Sequence, residues 1–258
     1  MGCRVFKHLW VDRADKSRLT LQGRKSYGST TETTNCPTPT AQTNALMEFM
    51  AIYFQVPMWC FDVVSAFPHA DESEENVFMW PPPEWPDKSK WSVPVVWWML
   101  KSLYGRRSAG ANFRDYFEEV ITGTPVLDMQ RGDVEPCAYT SQSTSVRATH
   151  HIDDGRVIGE KSDANKLIAH LASFMLLKVT DPIEAGGAVQ HLRRTKVRLD
   201  HGWVTIPEDK HLINVFNRVG YGEDCAPGRA VATPGVKRDD FDESEIENID
   251  DFRSVVGT

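Results

Sequence analysis

Three carboxylates at two stations are the residues of this 258-residue chain best suited to chemistry. Asp62 ends the run WCFD, and Asp153-Asp154 lie in THHIDDGRVIG. Each station follows a short apolar or β-prone stretch, the pattern of a strand that ends in acid. Carboxylates carried to one place by two strands can hold two divalent cations about 3.5–4 Å apart, the arrangement of two-metal phosphoryl transfer. Mg2+ suits such oxygen ligands, and Mn2+ is compatible on the same grounds. Without a cation between them the three acids should repel one another. His150 and His151 keep a second chemistry open, in which they join Asp153 and Asp154 as a transition-metal site of an unrelated two-metal phosphohydrolase. A plain role for the three acids as turn and strand-end residues is the remaining alternative.

The elements that must position these acids are legible as an α+β pattern, an antiparallel sheet backed by helices. Residues 4–12 and 17–22 alternate as two antiparallel strands, and 26–43 form a loop. Thr43 or Asn44 is expected to cap a helix through about Phe54, with Leu46, Phe49, Met50 and Tyr53 as its apolar face. Met58–Val63 is a strand that leads into the first station. The run PPPEWPDKS lacks the N–H groups of regular structure, and Val93–Leu100 is strand-like. A helix over Ala109–Ile121 turns Phe113, Tyr116, Phe117, Val120 and Ile121 inward, and 122–136 follow as loop. Ala138–Thr140 and Ser145–Ile152 are strands, and the second station is the tip of a hairpin returning through Arg156–Ile158. Ser162 caps a helix through Leu176 that buries Leu167, Ile168, Leu171, Phe174 and Met175. Gln190–Leu199 and Gly202–Ile206 make another hairpin. A helix over Glu208–Val219 stops at Gly220, and an acidic tail follows.

Composition narrows the class. A hydrophobic share of 41% and a charged share of 25% fit a folded domain with a substantial core. No run approaches the 18 or so apolar residues of a membrane span, and MGCRVFKHLW has no signal-peptide core. The five cysteines are scattered without a CxxC, which excludes a zinc ribbon and suits free thiols. The net charge of -7 owes much to eight acids within 239–251. Basic runs stand apart from it: seven Lys/Arg in residues 1–30, Lys101, Arg106, Arg107 and Arg114, and Arg193, Arg194, Lys196 and Arg198. Such runs could meet a phosphate backbone.

Five segments, in order, resemble the reverse transcriptase domain of Ty1/copia-type LTR retrotransposon polyproteins, from about Val5 to Lys237. They are WVDRADKSRLTLQGRKSYG (10–28), FDVVSAFPHADESEENVFMWPPPEW (61–85), WWMLKSLYGRRSAGANF (97–113), HIDD (151–154) and the stretch 189–235 ending in ATPG. The resemblance implies a right-hand polymerase palm with a small fingers region. Residues 1–57 would be fingers-like and 58–186 the palm. Residues 187–235 would form a C-terminal palm or connection hairpin and helix, and 236–258 an acidic tail or linker. It also implies RNA-directed DNA polymerase activity, extending a primer on an RNA or DNA template with deoxynucleoside triphosphates and two Mg2+. Asp62, Asp153 and Asp154 would be the catalytic metal ligands. Phe67 would lie under the incoming sugar, and Arg18, Lys16 and Arg24 would grip the triphosphate. Lys101, Leu103, Tyr104, Gly105, Arg106 and Arg107 would meet template and primer. Integrase and RNase H would be neighbouring domains of the parent polyprotein, in a cytoplasmic particle or nucleus.

The chain departs from the family pattern at several points. His151 replaces the usual Tyr, PHAD follows Phe67, RRSAGAN follows Gly105, and His191-Leu192-Arg193 stands where an aromatic-Leu-Gly turn is common. These departures keep the three acids, yet support an alternative: a catalytically inactive remnant that retains at most nucleic-acid binding.

Overall fold

A computed structural model describes residues 4–12, 17–23, 34, 36–85, 90–125, 127–191, 194–207, 210 and 213–214. In chain order these form β1 (Arg4–Phe6), β2 (His8–Asp12), β3 (Ser17–Leu21), α1 (Ala41–Tyr53), β4 (Met58–Val63) and a 3-10 turn at Phe67–His69. There follow β5 (Val77–Met79), β6 (Trp97–Trp98), α2 (Ala109–Thr122), β7 (Met129–Arg131), β8 (Ala138–Ser141), β9 (Arg147–His151) and β10 (Asp154–Ile158). The last are α3 (Lys161–Phe174), β11 (Leu177–Val179), β12 (Ala188–His191), β13 (Arg194–Leu199) and β14 (Gly202–Ile206). The fold is mixed α+β, with several antiparallel sheets and three α-helices among the described residues. The chain divides into two compact units. One is Met1–Leu192 with Lys196–Val204, and the other is Arg193–Thr195 with Thr205–Thr258. Apart from Lys210, Ile213 and Asn214, which are helical, the expected helix Glu208–Val219, its Gly220 stop and the acidic tail lie outside the described residues.

The central sheet has the order β11-β4-β10-β9-β8-β7, and its pairings are all antiparallel. Alternation along β4 divides its side chains between two faces. Trp59, Phe61 and Val63 point to one face and pack with Val157, with Phe113, Phe117, Val120 and Ile121 of α2, and with Ala164, Leu167 and Leu171 of α3. Met58 points the other way and packs with Met47 and Ala51 of α1, Val56 and Ile158. Cys60, on that same face, packs with Ile183 and Val189. Covered on both sides, β4 is almost wholly apolar, as a doubly buried strand must be. Gly155 lies in register with Phe61, and a Cβ on it would fall 2.0 Å from the Phe61 ring. The ring occupies the space that only glycine leaves open.

Several local expectations are corrected. Residues 4–12 are two strands: β1 pairs in parallel with β5, while β2 pairs with β3. Val93–Leu100 contributes only the two residues of β6, and the stretch read as loop over 122–136 contains β7, paired with β8. The segment Gln190–Leu199 is two strands, β12 and β13. The cap of α1 is Thr40, whose hydroxyl accepts from the Thr43 N–H, and α3 begins at Lys161 after Glu160 with no side-chain cap. Phe174 is exposed, unlike Leu167 and Leu171.

The rotation of α1 is the largest correction. Met47, Glu48 and Ala51 are buried, whereas Leu46, Phe49 and Tyr53 are exposed. Glu48 supplies the physical reason. Its carboxylate accepts from Arg156 at 2.9 Å and from Lys196, and its carbonyl accepts from the Trp203 indole. A buried acid must lie where its cations are, so the ion pairs set which face of α1 turns inward.

Candidate carboxylate site

Asp154 opens β10 and is the register partner of Asp62 on β4. Lys178 of β11 is the partner of Asp62 on its other side, and His151 of β9 is the partner of Asp154. Directly opposed residues share a face with Cβ atoms about 4.5–5.5 Å apart. Lys178, Asp62, Asp154 and His151 therefore form one row across four strands, at the open end of the face that α1 covers. The main chain of the hairpin tip is tied to β4, since the Val63 N–H donates to the Asp153 carbonyl at 2.8 Å.

The tip itself is strained. Ile152 sits at φ +51°, a conformation that costs a β-branched residue on the order of 1–3 kcal/mol. Asp153 beside it is exposed, while Asp62 and Asp154 are half-buried. Burial, followed by the charges of Asp153 and Asp62, holds the Asp154 carboxyl above its ordinary value. Burial and neighbouring like charges thus act in the same direction on this acid.

Asp62 and Asp154 open onto a cleft of about 220 Å³, lined also by Cys60, Lys178, Thr180, Gln190 and His191. Burial pushes the Cys60 thiol up to about 11 and the His191 imidazole down to about 3. At neutral pH the first is an unreactive thiol and the second an uncharged ring, which leaves Lys178 as the cation of the cleft. Sequence reasoning missed Lys178, Thr180 and Gln190. The three-residue strand that brings Lys178 beside Asp62 carries no periodicity of its own, and register is a property of the pairing.

The donors near the row are two acids in register, a third acid on the adjoining turn, and His151. Among the described residues no group of three His, Cys, Asp or Glu side chains is placed to hold an ion. Two carboxylates lie in register, the third acid is exposed on the turn, and the next charged neighbour in the row is an ammonium. Of the two histidines in the hydrolase alternative, His151 shares the row with Asp154 and His150 does not. His150 points to the opposite face, stacked on Phe117 at 4.1 Å between ring centroids, and burial drives its imidazole down to about 3.

The remaining sequence-predicted residues fall into three groups. Arg18, Tyr104 and Phe67 come together: the Arg18 guanidinium lies 4.8 Å from the Tyr104 ring centroid, and the Tyr104 and Phe67 rings are 4.9 Å apart. Leu103 packs against the small core of Phe6, Leu21, Val77, Met79 and Met99. Gly105, at φ +84°, turns so close to β3 that a Cβ would meet the Leu21 carbonyl oxygen at 1.9 Å. Arg107 is exposed.

Arg106 is a correction, because it is buried against Glu72 and Glu74 at 3.1 and 3.0 Å and over the Phe6 ring. A guanidinium so enclosed faces carboxylates in place of phosphates. Lys101 is exposed but paired with Asp71 at 2.6 Å. Lys196 is paired with Glu48, and Arg198 donates to the carbonyls of Ala51, Val56 and Ile183. Much of the basic character read along the chain is thus neutralised or buried by distant partners. Lys16 and Arg24 lie outside the described residues.

No protein-family model matches the chain, and no curated protein matches it significantly.

Proposed function

We propose that the chain is a reverse-transcriptase-like palm that does not catalyse nucleotide addition and retains at most nucleic-acid binding. The supporting observation is that, among the described residues, no group of three His, Cys, Asp or Glu side chains is placed to hold an ion, the row Lys178–Asp62–Asp154–His151 included. The palm reading is supported by an antiparallel sheet that carries both acidic stations on adjacent strands and is backed by α2 and α3. It is supported as well by the five ordered sequence segments. Binding, where it persists, would draw on Arg18 and Arg107, since Arg106 is buried and Lys101 is paired.

Primer extension on poly(rA)/oligo(dT) with Mg2+ or Mn2+, beside fluorescence anisotropy of the same duplex, tests this reading. The expected outcome is no incorporation, with weak binding that falls steeply between about 50 and about 200 mM salt. Incorporation that Asp153→Asn abolishes would restore the polymerase reading, in which Asp62, Asp153 and Asp154 bind two Mg2+ and Phe67 meets the incoming sugar.

A further inference from the structure

We propose that Lys178 is the resident cation of the carboxylate row and excludes divalent metal from it. The inference rests on the non-catalytic reading and gives it a physical cause. Asp62 is flanked in register by Asp154 on one side and Lys178 on the other, so all three side chains leave the same face of the sheet. They line the same cleft. An ammonium has three donors on a flexible stem and makes no demand for coordination geometry. Mg2+ instead needs near-octahedral oxygen ligation. Two acids can hold such an ion when waters complete its shell, so an ammonium in the adjacent strand position competes for the same carboxylate oxygens.

The surroundings leave Lys178 free to do this. It is exposed on β11, and among the described residues it makes no ion pair with any carboxylate. A rotation of its stem toward Asp62 is all that neutralising the row requires. A divalent ion entering the cleft would meet that positive charge in the adjacent strand position, where like charges oppose each other directly.

The test is Mn2+ binding, read by the loss of the free-ion electron paramagnetic resonance signal. It compares the full chain with Lys178→Ala, Lys178→Gln, Lys178→Arg and Lys178→Ala/Asp62→Asn, each checked for folding by circular dichroism. The expected result is that Lys178→Ala and Lys178→Gln bind Mn2+ at least tenfold more tightly than the natural chain. Lys178→Arg should stay weak, and the added Asp62→Asn should abolish the gain. Equal binding by the natural chain and Lys178→Ala would overturn the role of Lys178 while leaving the non-catalytic reading in place. Tight, Asp62-dependent binding by the natural chain also overturns it. If primer extension accompanies that binding, the non-catalytic reading falls as well.

Discussion

The two faces of the central sheet are built by different forces. The face under α2 and α3 is a continuous apolar core in which Phe61, Phe113, Phe117, Leu167 and Leu171 are almost fully buried. The opposite face holds Glu48, Arg156, Cys60, Asp62 and Asp154, and it is organised by ion pairs at its closed end and by unpaired acids at its open end. The first face is non-directional, and its buried polar groups, the neutral His150 and the Tyr139 hydroxyl, sit against the Phe117 ring. The second depends on which charge meets which, so a change of one residue type there can replace one chemistry with another.

Truncation of the helix-covered face should have the largest effect. Phe117 contacts Phe61, Phe113, Tyr139 and His150 through its ring. Phe117→Ala is expected to cost about 3–5 kcal/mol by urea unfolding. A cost under about 1 kcal/mol would show that this face is not the core.

Acid should strike both faces through one histidine each. His150 and His191 are held near 3 in the fold against an ordinary value of 6.5. Between those values the unfolded chain binds protons that the folded chain refuses. Their contribution to stability is therefore complete above pH 6.5 and is lost as pH falls toward 3, by up to about 1.4 kcal/mol per pH unit for each. Urea unfolding at pH 7 and pH 5 checks the slope. His150→Phe should remove the share of the helix-covered face and leave that of His191.

The smallest effect has the opposite sign. Asp154→Asn removes a like charge directly opposite Asp62 and should stabilise the chain by about 0.5 kcal/mol. Thermal unfolding would register this as a rise of a degree or two. A fall in stability would mean that Asp154 makes a favourable contact that outweighs its repulsion by Asp62.

The difference between the faces also explains what could be read without coordinates. The stripe Phe113, Phe117, Val120 and Ile121 announced its own burial, because helical spacing and apolar character coincide there. On α1 the same logic misled: apolar residues occur on two sides of the helix, and the buried side follows Glu48 to Arg156, a residue 108 positions away. The runs at 101–114 and 190–198 looked unopposed for the same reason, since Asp71, Glu72, Glu74 and Glu48 are distant in sequence. At the site, the acids and the hairpin tip were legible from strand ends and turn position. The row that joins Asp62 to Lys178 was not, because β11 is three residues long and its partner is fixed only by packing.

Magnesium dependence of thermal stability tests the proposed exclusion of divalent metal from the carboxylate row most directly. A ligand that binds only the folded chain must raise its stability with concentration by mass action. The unfolding midpoint of the natural chain is expected to stay flat as Mg2+ is raised to millimolar levels at constant ionic strength. A midpoint that climbs by several degrees, and stops climbing in Asp62→Asn, would contradict it.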